Sequence, residues 1–200
     1  MRKGTVVLLV LAMLMLFASC AAGQEKDRDI QKVFGTVCSA DEALALAKSS
    51  DVVVFEDESC TSGQDIWDEF YSDVSGGKEA FVLCAHYYTL DREYVSAELY
   101  EQEKDLYPQL FFTLLRFDGS QYSIEVRMST SPEIEEEETY NCLLHYTGDA
   151  PTPDALYDRY DHYVLTDDPD VTWEEITSSM LDSSTPEFIR HSTVYSNYFD

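Results

Sequence analysis

Hydrophobic and polar positions recur along this chain with two periods, and the switches between them mark most of its elements. Ser39-Ala40-Asp41-Glu42 has the form of a capping box and predicts a helix to about Lys48. Asp51 to Glu56 is β-branched and almost wholly apolar, as in a strand covered on both faces. From Ser62 to Ser75, Ile66, Trp67, Phe70, Tyr71 and Val74 share one helical stripe, and Gly76-Gly77 ends it. Ala80 to Leu90 is apolar at both alternations and predicts a central strand. Val95-Ser96 opens a further helix that Pro108 limits. Leu110–Phe117 and Gln121–Ser129 flank Asp118-Gly119, a hairpin signal. In the second arm Tyr122, Ile124, Val126 and Met128 should face the core, and Gln121, Ser123, Glu125 and Arg127 the water. Tyr140, Cys142, Leu144 and Tyr146 continue the alternation as one strand, and Gly148 to Pro153 is a turn-rich break. Tyr160–Leu165 predicts a strand, Thr172-Trp173-Glu174-Glu175 a second capping box, and Thr185-Pro186 a short helical turn. Ser192–Phe199 is a last strand. The pattern predicts an α+β domain in which helices pack on one mainly antiparallel sheet.

The first twenty residues follow neither period. Arg2 and Lys3 precede an apolar run from Thr5 to Ala18, too short to span a bilayer comfortably, and Ala18-Ser19 leads into Cys20. This resembles a bacterial lipoprotein signal, with Phe17 where that family most often has Leu. The resemblance implies cleavage before Cys20 and a diacylglyceryl group on its sulfur. Two acyl chains satisfy the double signal that stable anchoring needs. An ordinary secretory signal or an uncleaved anchor is the other reading of the run. The expected division is a signal over residues 1–19, a lipidated cysteine and tether over 20–32, and one extracytoplasmic domain over 33–200, on the outer face of the cell membrane.

Charge changes the picture of partners. The chain has 13 basic and 39 acidic residues, a net charge of −26. Loss of Arg2 and Lys3 would leave 11 against 39, or −28. Such a surface is repelled by nucleic-acid phosphate and by anionic headgroups, so the expected membrane contact is the lipid. Solubility alone is the commoner reason for such acidity.

Besides Cys20 the chain holds Cys38, Cys60, Cys84 and Cys142, none in a Cys-x-x-Cys motif. Cys84 and Cys142 lie in strand-like stretches and read as small hydrophobes. Cys38 and Cys60 lie in loop-like sequence before helix starts. They are the pair to name if any is bridged, although spacing fixes no connectivity.

Catalytic motifs are missing: there is no nucleophile elbow, phosphate-binding glycine loop or His-Glu-x-x-His. His86, His145, His162 and His191 are the histidines, each expected on a strand with a satisfied ring. Two acidic clusters, Glu133 with Glu135 to Glu138 and Asp167-Asp168 with Asp170, match no calcium loop and read as solvated loops with weak cation binding at most. No cofactor and no catalytic residue is expected.

Ala43 to Ala47, Asp51-Val52-Val53, Trp67-x-x-Phe70 with Val74 and Gly77, Tyr88-Thr89, Phe117-Asp118-Gly119-x-x-Tyr122 and Glu138-Thr139-Tyr140 together resemble a domain of unknown function. That domain occurs in lipid-anchored extracytoplasmic proteins of Gram-positive bacteria, and here it would cover about residues 39–147. The resemblance implies location and supplies no catalytic residue. Three functional expectations follow. One is a non-enzymatic surface domain that binds a small molecule or protein partner, with Tyr87, Tyr88, Tyr160 and Tyr163 as candidate contacts. Another is an extracytoplasmic hydrolase assembled from distant residues, which a pocket holding His86, His145 or His162 beside a carboxylate would favour. An accessory subunit of a membrane complex is a third.

Overall fold

The computed structural model describes residues 27–57, 59–150, 157–181 and 188–199; Cys20, the signal-like run and Thr185-Pro186 lie outside them. Among the described residues nine strands form two sheets. The larger sheet holds β1 (Val53–Glu56), β2 (Ser59–Ser62), β3 (Ala80–Tyr88), β4 (Gln109–Phe117), β5 (Tyr122–Met128) and β6 (Glu136–Tyr140), in the order β2-β1-β3-β4-β5-β6. Its β1–β3 pairing is parallel and all others are antiparallel. The smaller sheet holds β7 (Cys142–Asp149), β8 (Arg159–Thr166) and β9 (His191–Phe199), all antiparallel. The chain is an α+β domain, as its periodicities predict, with the strands divided between two sheets. The strand expected from Tyr140 to Tyr146 is broken at Asn141, where the chain passes from one sheet to the other.

Period 2 gives the large sheet two distinct faces. One carries Val52, Val54, Leu83, Ala85, Leu110, Phe112 and Leu114, all buried against a helical pair. That pair is α1, helical over residues 27–35, and α2 (Ala40–Lys48). In α2, the Ser39 hydroxyl accepts from the Glu42 amide while Glu42 takes the Ser39 amide, closing the predicted capping box. The expected tether through Lys32 is corrected here. Ile30, Val33 and Phe34 recur at helical spacing and are buried, so the domain reaches back at least to α1.

Covering this face also overturns the expected exposure of Arg127. Its neighbours Phe112 and Phe34 close over it, and it is only 2% exposed.

The opposite face carries Val53, Phe55, Val82, Cys84, Leu115 and Ile124. Against it pack α3 (Gln64–Ser75), through Trp67, Phe70 and Val74, and the small sheet, through Tyr163, Leu165, Val194 and Tyr195. The outer side of the small sheet receives α5 (Trp173–Leu181), capped by the predicted Thr172/Glu175 box. Arg190 ties the two sheets together. It bonds Asp167 at 2.6 Å and the Thr139 carbonyl at 2.8 Å, and lies 4.2 Å over the Tyr140 ring. The helix α4 (Ala97–Glu103) stands in the β3–β4 connection and buries none of its residues. Among the described residues no helix is long and apolar enough to cross a membrane.

Candidate functional site

The small sheet and α3 cover only part of that second face. Registers place Phe55, His86, Phe111 and Met128 in one row across β1, β3, β4 and β5, and Cys84, Thr113, Val126 and Glu136 in the next row across β3 to β6. Side chains two residues apart share a face, so both rows open on the same side. Over them lies a cleft of about 500 Å³. Its floor is Phe55, His86, Phe111, Thr113, Val126 and Glu136, and Tyr88 extends the floor at the end of β3. Its wall is β9, through Ser192, Thr193, Ser196 and Tyr198, with His162 and Trp173 beyond. A bulge in the β8–β9 pairing at Tyr163/Val164 shifts the register of this wall.

His86 stacks face to face on Phe55, with ring centroids 4.6 Å apart and planes 5° from parallel. Burial lowers its pKa to about 4, so the ring is neutral at pH 7. His162 is also held below its ordinary value by burial. Its Nδ1 lies 2.8 Å from the Ser196 hydroxyl, and its ring stacks 4.8 Å from Tyr160 and lies tilted 4.9 Å from Trp173. Glu136 has its pKa raised by partial burial of the carboxyl and by Glu138 beside it. Among the described residues it is the one formally charged group lining the cleft at neutral pH.

The fold brings two of the named histidines to the cleft and sends the third elsewhere. His145 does have a carboxylate partner, Asp161 at 2.6 Å, but the pair sits against Tyr163 and Tyr71 near α3. Glu136 stands three strands from His86, about 14 Å across the backbone at ordinary strand spacing. The cleft therefore holds histidines and a carboxylate without an acid–base pair between them. His191 bonds the Ile189 carbonyl at 2.7 Å, away from the cleft lining.

Of the four tyrosines named as contacts, Tyr88 lines the cleft. Tyr87 points to the helical face and donates to Asp41 at 2.8 Å. Tyr163 is core, and Tyr160 backs His162. The candidate bridge between Cys38 and Cys60 is not formed: both are free thiols. Cys38 packs with the α1–α2 cluster and Cys60 with the cluster across the sheet, so a layer of strands lies between them. Cys84 and Cys142 are free thiols as well. Members of both acidic clusters take structural roles. Glu138 and Asp167 meet Arg190, and Asp168 accepts from the Asp170 amide at 2.9 Å just before α5. Among the described residues no three His, Cys, Asp or Glu side chains converge as a metal site requires.

A larger hollow, of about 920 Å³, runs between α3 and the β4–β5 turn, lined by Glu69, Asp73, Glu79, Asp118 and Arg116. It holds no histidine, and three of its charged groups have other duties. Asp73 pairs with Lys78, Arg116 reaches Asp27, and Asp118 accepts three hydrogen bonds inside the turn.

Compared with protein-family models, curated proteins and solved structures, the chain matches none. The chemistry of the cleft therefore carries the functional reading. Phe55, Phe111, Trp173, Ser196 and Tyr198 were not legible as site residues, since each lies in an ordinary strand or helix pattern, and Glu136 was legible only as part of an acidic cluster. The signal that unites the floor is registration across five strands of the large sheet, and β9 and Trp173 join it only through the packing of the two sheets; no local spacing records either.

Proposed function

We propose that this is a lipid-anchored extracytoplasmic binding protein, held to the outer face of the membrane through Cys20, with the inter-sheet cleft as its ligand site. The observation that carries the reading is the cleft itself, whose aromatic lining includes Phe55, Tyr88, Phe111, Trp173 and Tyr198. Apolar, concave sites with a few convergent polar groups are where small ligands bind. The lipobox-like ending at Cys20 supports the anchoring.

Thermal melting of residues 21–200, which contain every described element, against amino acids, sugars, peptides and cell-wall fragments tests the reading. A ligand that binds only the folded state at a hundred times its Kd stabilises by about 2.7 kcal/mol. The expected result is a shift with one compound class that Phe111→Ala abolishes. A shift that survives Phe111→Ala would place the ligand elsewhere. Acylation at Cys20 is tested by mass spectrometry of the protein extracted from membranes, and a Cys20→Ser variant should be found in the aqueous fraction.

One contact favours the hydrolase as a second reading. Ser196 and His162 have the hydroxyl-to-imidazole distance of a nucleophile and its base. Orienting such a base takes a carboxylate on the other ring nitrogen. Hydrolysis of an ester panel that Ser196→Ala abolishes would establish this reading over the first.

A further inference from the structure

We infer that the cleft is built for an organic cation, an ammonium group carried on an apolar body. The inference rests on the cleft being the ligand site and adds the chemistry of what enters it.

Charge decides the sign. Among the described residues no lysine or arginine lines the cleft, and Glu136 is the one carboxylate. An anion would meet no compensating charge there, and it would approach a chain of net charge −26. The same field draws cations toward any concave, low-dielectric part of the surface. The two histidines add no positive charge, since burial keeps both neutral at pH 7.

Coordination number decides the kind of cation. A calcium ion takes six to eight oxygens, and one carboxylate cannot supply them. An ammonium group needs less: one carboxylate for its charge and aromatic faces for its polarised methyl or methylene groups. Phe111, Trp173 and Tyr198 are aromatic groups of the floor and the wall.

Registration decides the orientation. Glu136 shares its row with Val126 and Thr113, and stands two strands from Thr113, about 10 Å at ordinary spacing. A cation seated at the carboxylate would lay its apolar body over Val126 toward Phe111 and His86. A cleft of about 500 Å³ has room for such a molecule.

Titration calorimetry on residues 21–200 tests this with four probes: choline, benzyltrimethylammonium, and the uncharged isostere of each, in which carbon replaces nitrogen. The expected result is that at least one ammonium compound binds at least about tenfold more tightly than its isostere. Glu136→Gln should remove that preference while leaving the melting temperature unchanged, because the residue is exposed on an edge strand. Phe111→Ala should weaken ammonium and isostere alike. Equal binding of charged and uncharged probes, or no binding of any, overturns the inference. The binding reading fails separately: a ligand found by melting whose affinity is indifferent to both Phe111→Ala and Glu136→Gln does not occupy the cleft at all.

Discussion

The Arg127 guanidinium lies 5.3 Å from the centre of the Phe34 ring and donates its Nε–H to the Phe34 backbone carbonyl. Its other nitrogens reach the carbonyls of Thr36 at 2.6 Å, Ser131 at 2.7 Å and Met128 at 3.0 Å. One side chain of β5 thereby holds α1, the loop after it and the β5–β6 turn, with four carbonyls standing in for a counter-ion. Removing it leaves a cavity and several buried acceptors unpaired. Arg127→Ala is expected to destabilise the fold by about 3 kcal/mol or more. Arg127→Lys should recover part of that loss, because an ammonium donates three hydrogens without the planar fork. Urea denaturation measures both, and a loss under about 1 kcal/mol for the alanine variant would contradict this role.

His86 makes stability depend on pH in one direction. The native ring stays neutral down to about pH 4, whereas an unfolded imidazole protonates near 6.5. As pH falls from about 6.5 to 4, the unfolded chain takes up a proton that the native chain refuses, so stability declines. The ring is partly open to the cleft, which limits the effect to roughly 2 kcal/mol. His162 acts in the same sense. Urea midpoints at pH 7 and 4.5 should fall less for His86→Gln than for the native protein; parallel declines would refute the assignment.

Gly63 precedes α3 with φ +81°, and a Cβ there would stand 2.6 Å from the Val52 carbonyl oxygen and 2.9 Å from the Val53 Cα. Both neighbours are backbone of the strand entering the sheet, so neither can swing away. Gly63→Ala should cost about 2 kcal/mol or more. Gly35, at the end of α1, has open space around its Cα and no positive φ. Gly35→Ala is expected to be neutral or mildly stabilising, and calorimetric melting of the two variants side by side checks the contrast.

The thiols should be free and slow to react. Burial is the main force raising the pKa of Cys38, Cys60 and Cys142, and it raises that of Cys84 furthest. With less thiolate present, alkylation of the native protein should lag far behind that of the unfolded chain. Intact mass under non-reducing conditions should match four reduced cysteines at these positions. A peptide linking Cys38 to Cys60 would require the strand layer between them to rearrange, because bridged Cα atoms lie within about 7 Å of one another.

Local order was legible in the sequence where local chemistry alone decides it. Both capping boxes close as Ser39/Glu42 and Thr172/Glu175 require. The Asp118-Gly119 turn joins β4 to β5, with Gly119 at φ +92°. The apolar run of β3 does lie inside its sheet, flanked by β1 and β4. The helix α1 escaped notice because charged residues surround its three apolar positions, and its burial depends on Phe112 and Leu114 being opposite. Arg127 escaped for the same reason, since alternation assigns a face but not what covers that face.

The amino-acid sequence by itself determined the α+β class, the caps, the hairpin, the acidic surface and the signal-like ending at Cys20, because each depends on residues within one turn, one strand or one sum of charges. Only the tertiary structure decided that the strands divide into two sheets at Asn141, that Cys38 and Cys60 lie on opposite faces, and that His86 and Glu136 look into one cleft. Those relationships arise from pairing strands distant in the chain and from leaving part of a sheet face uncovered. Their energies belong to contacts between residues that share no local pattern.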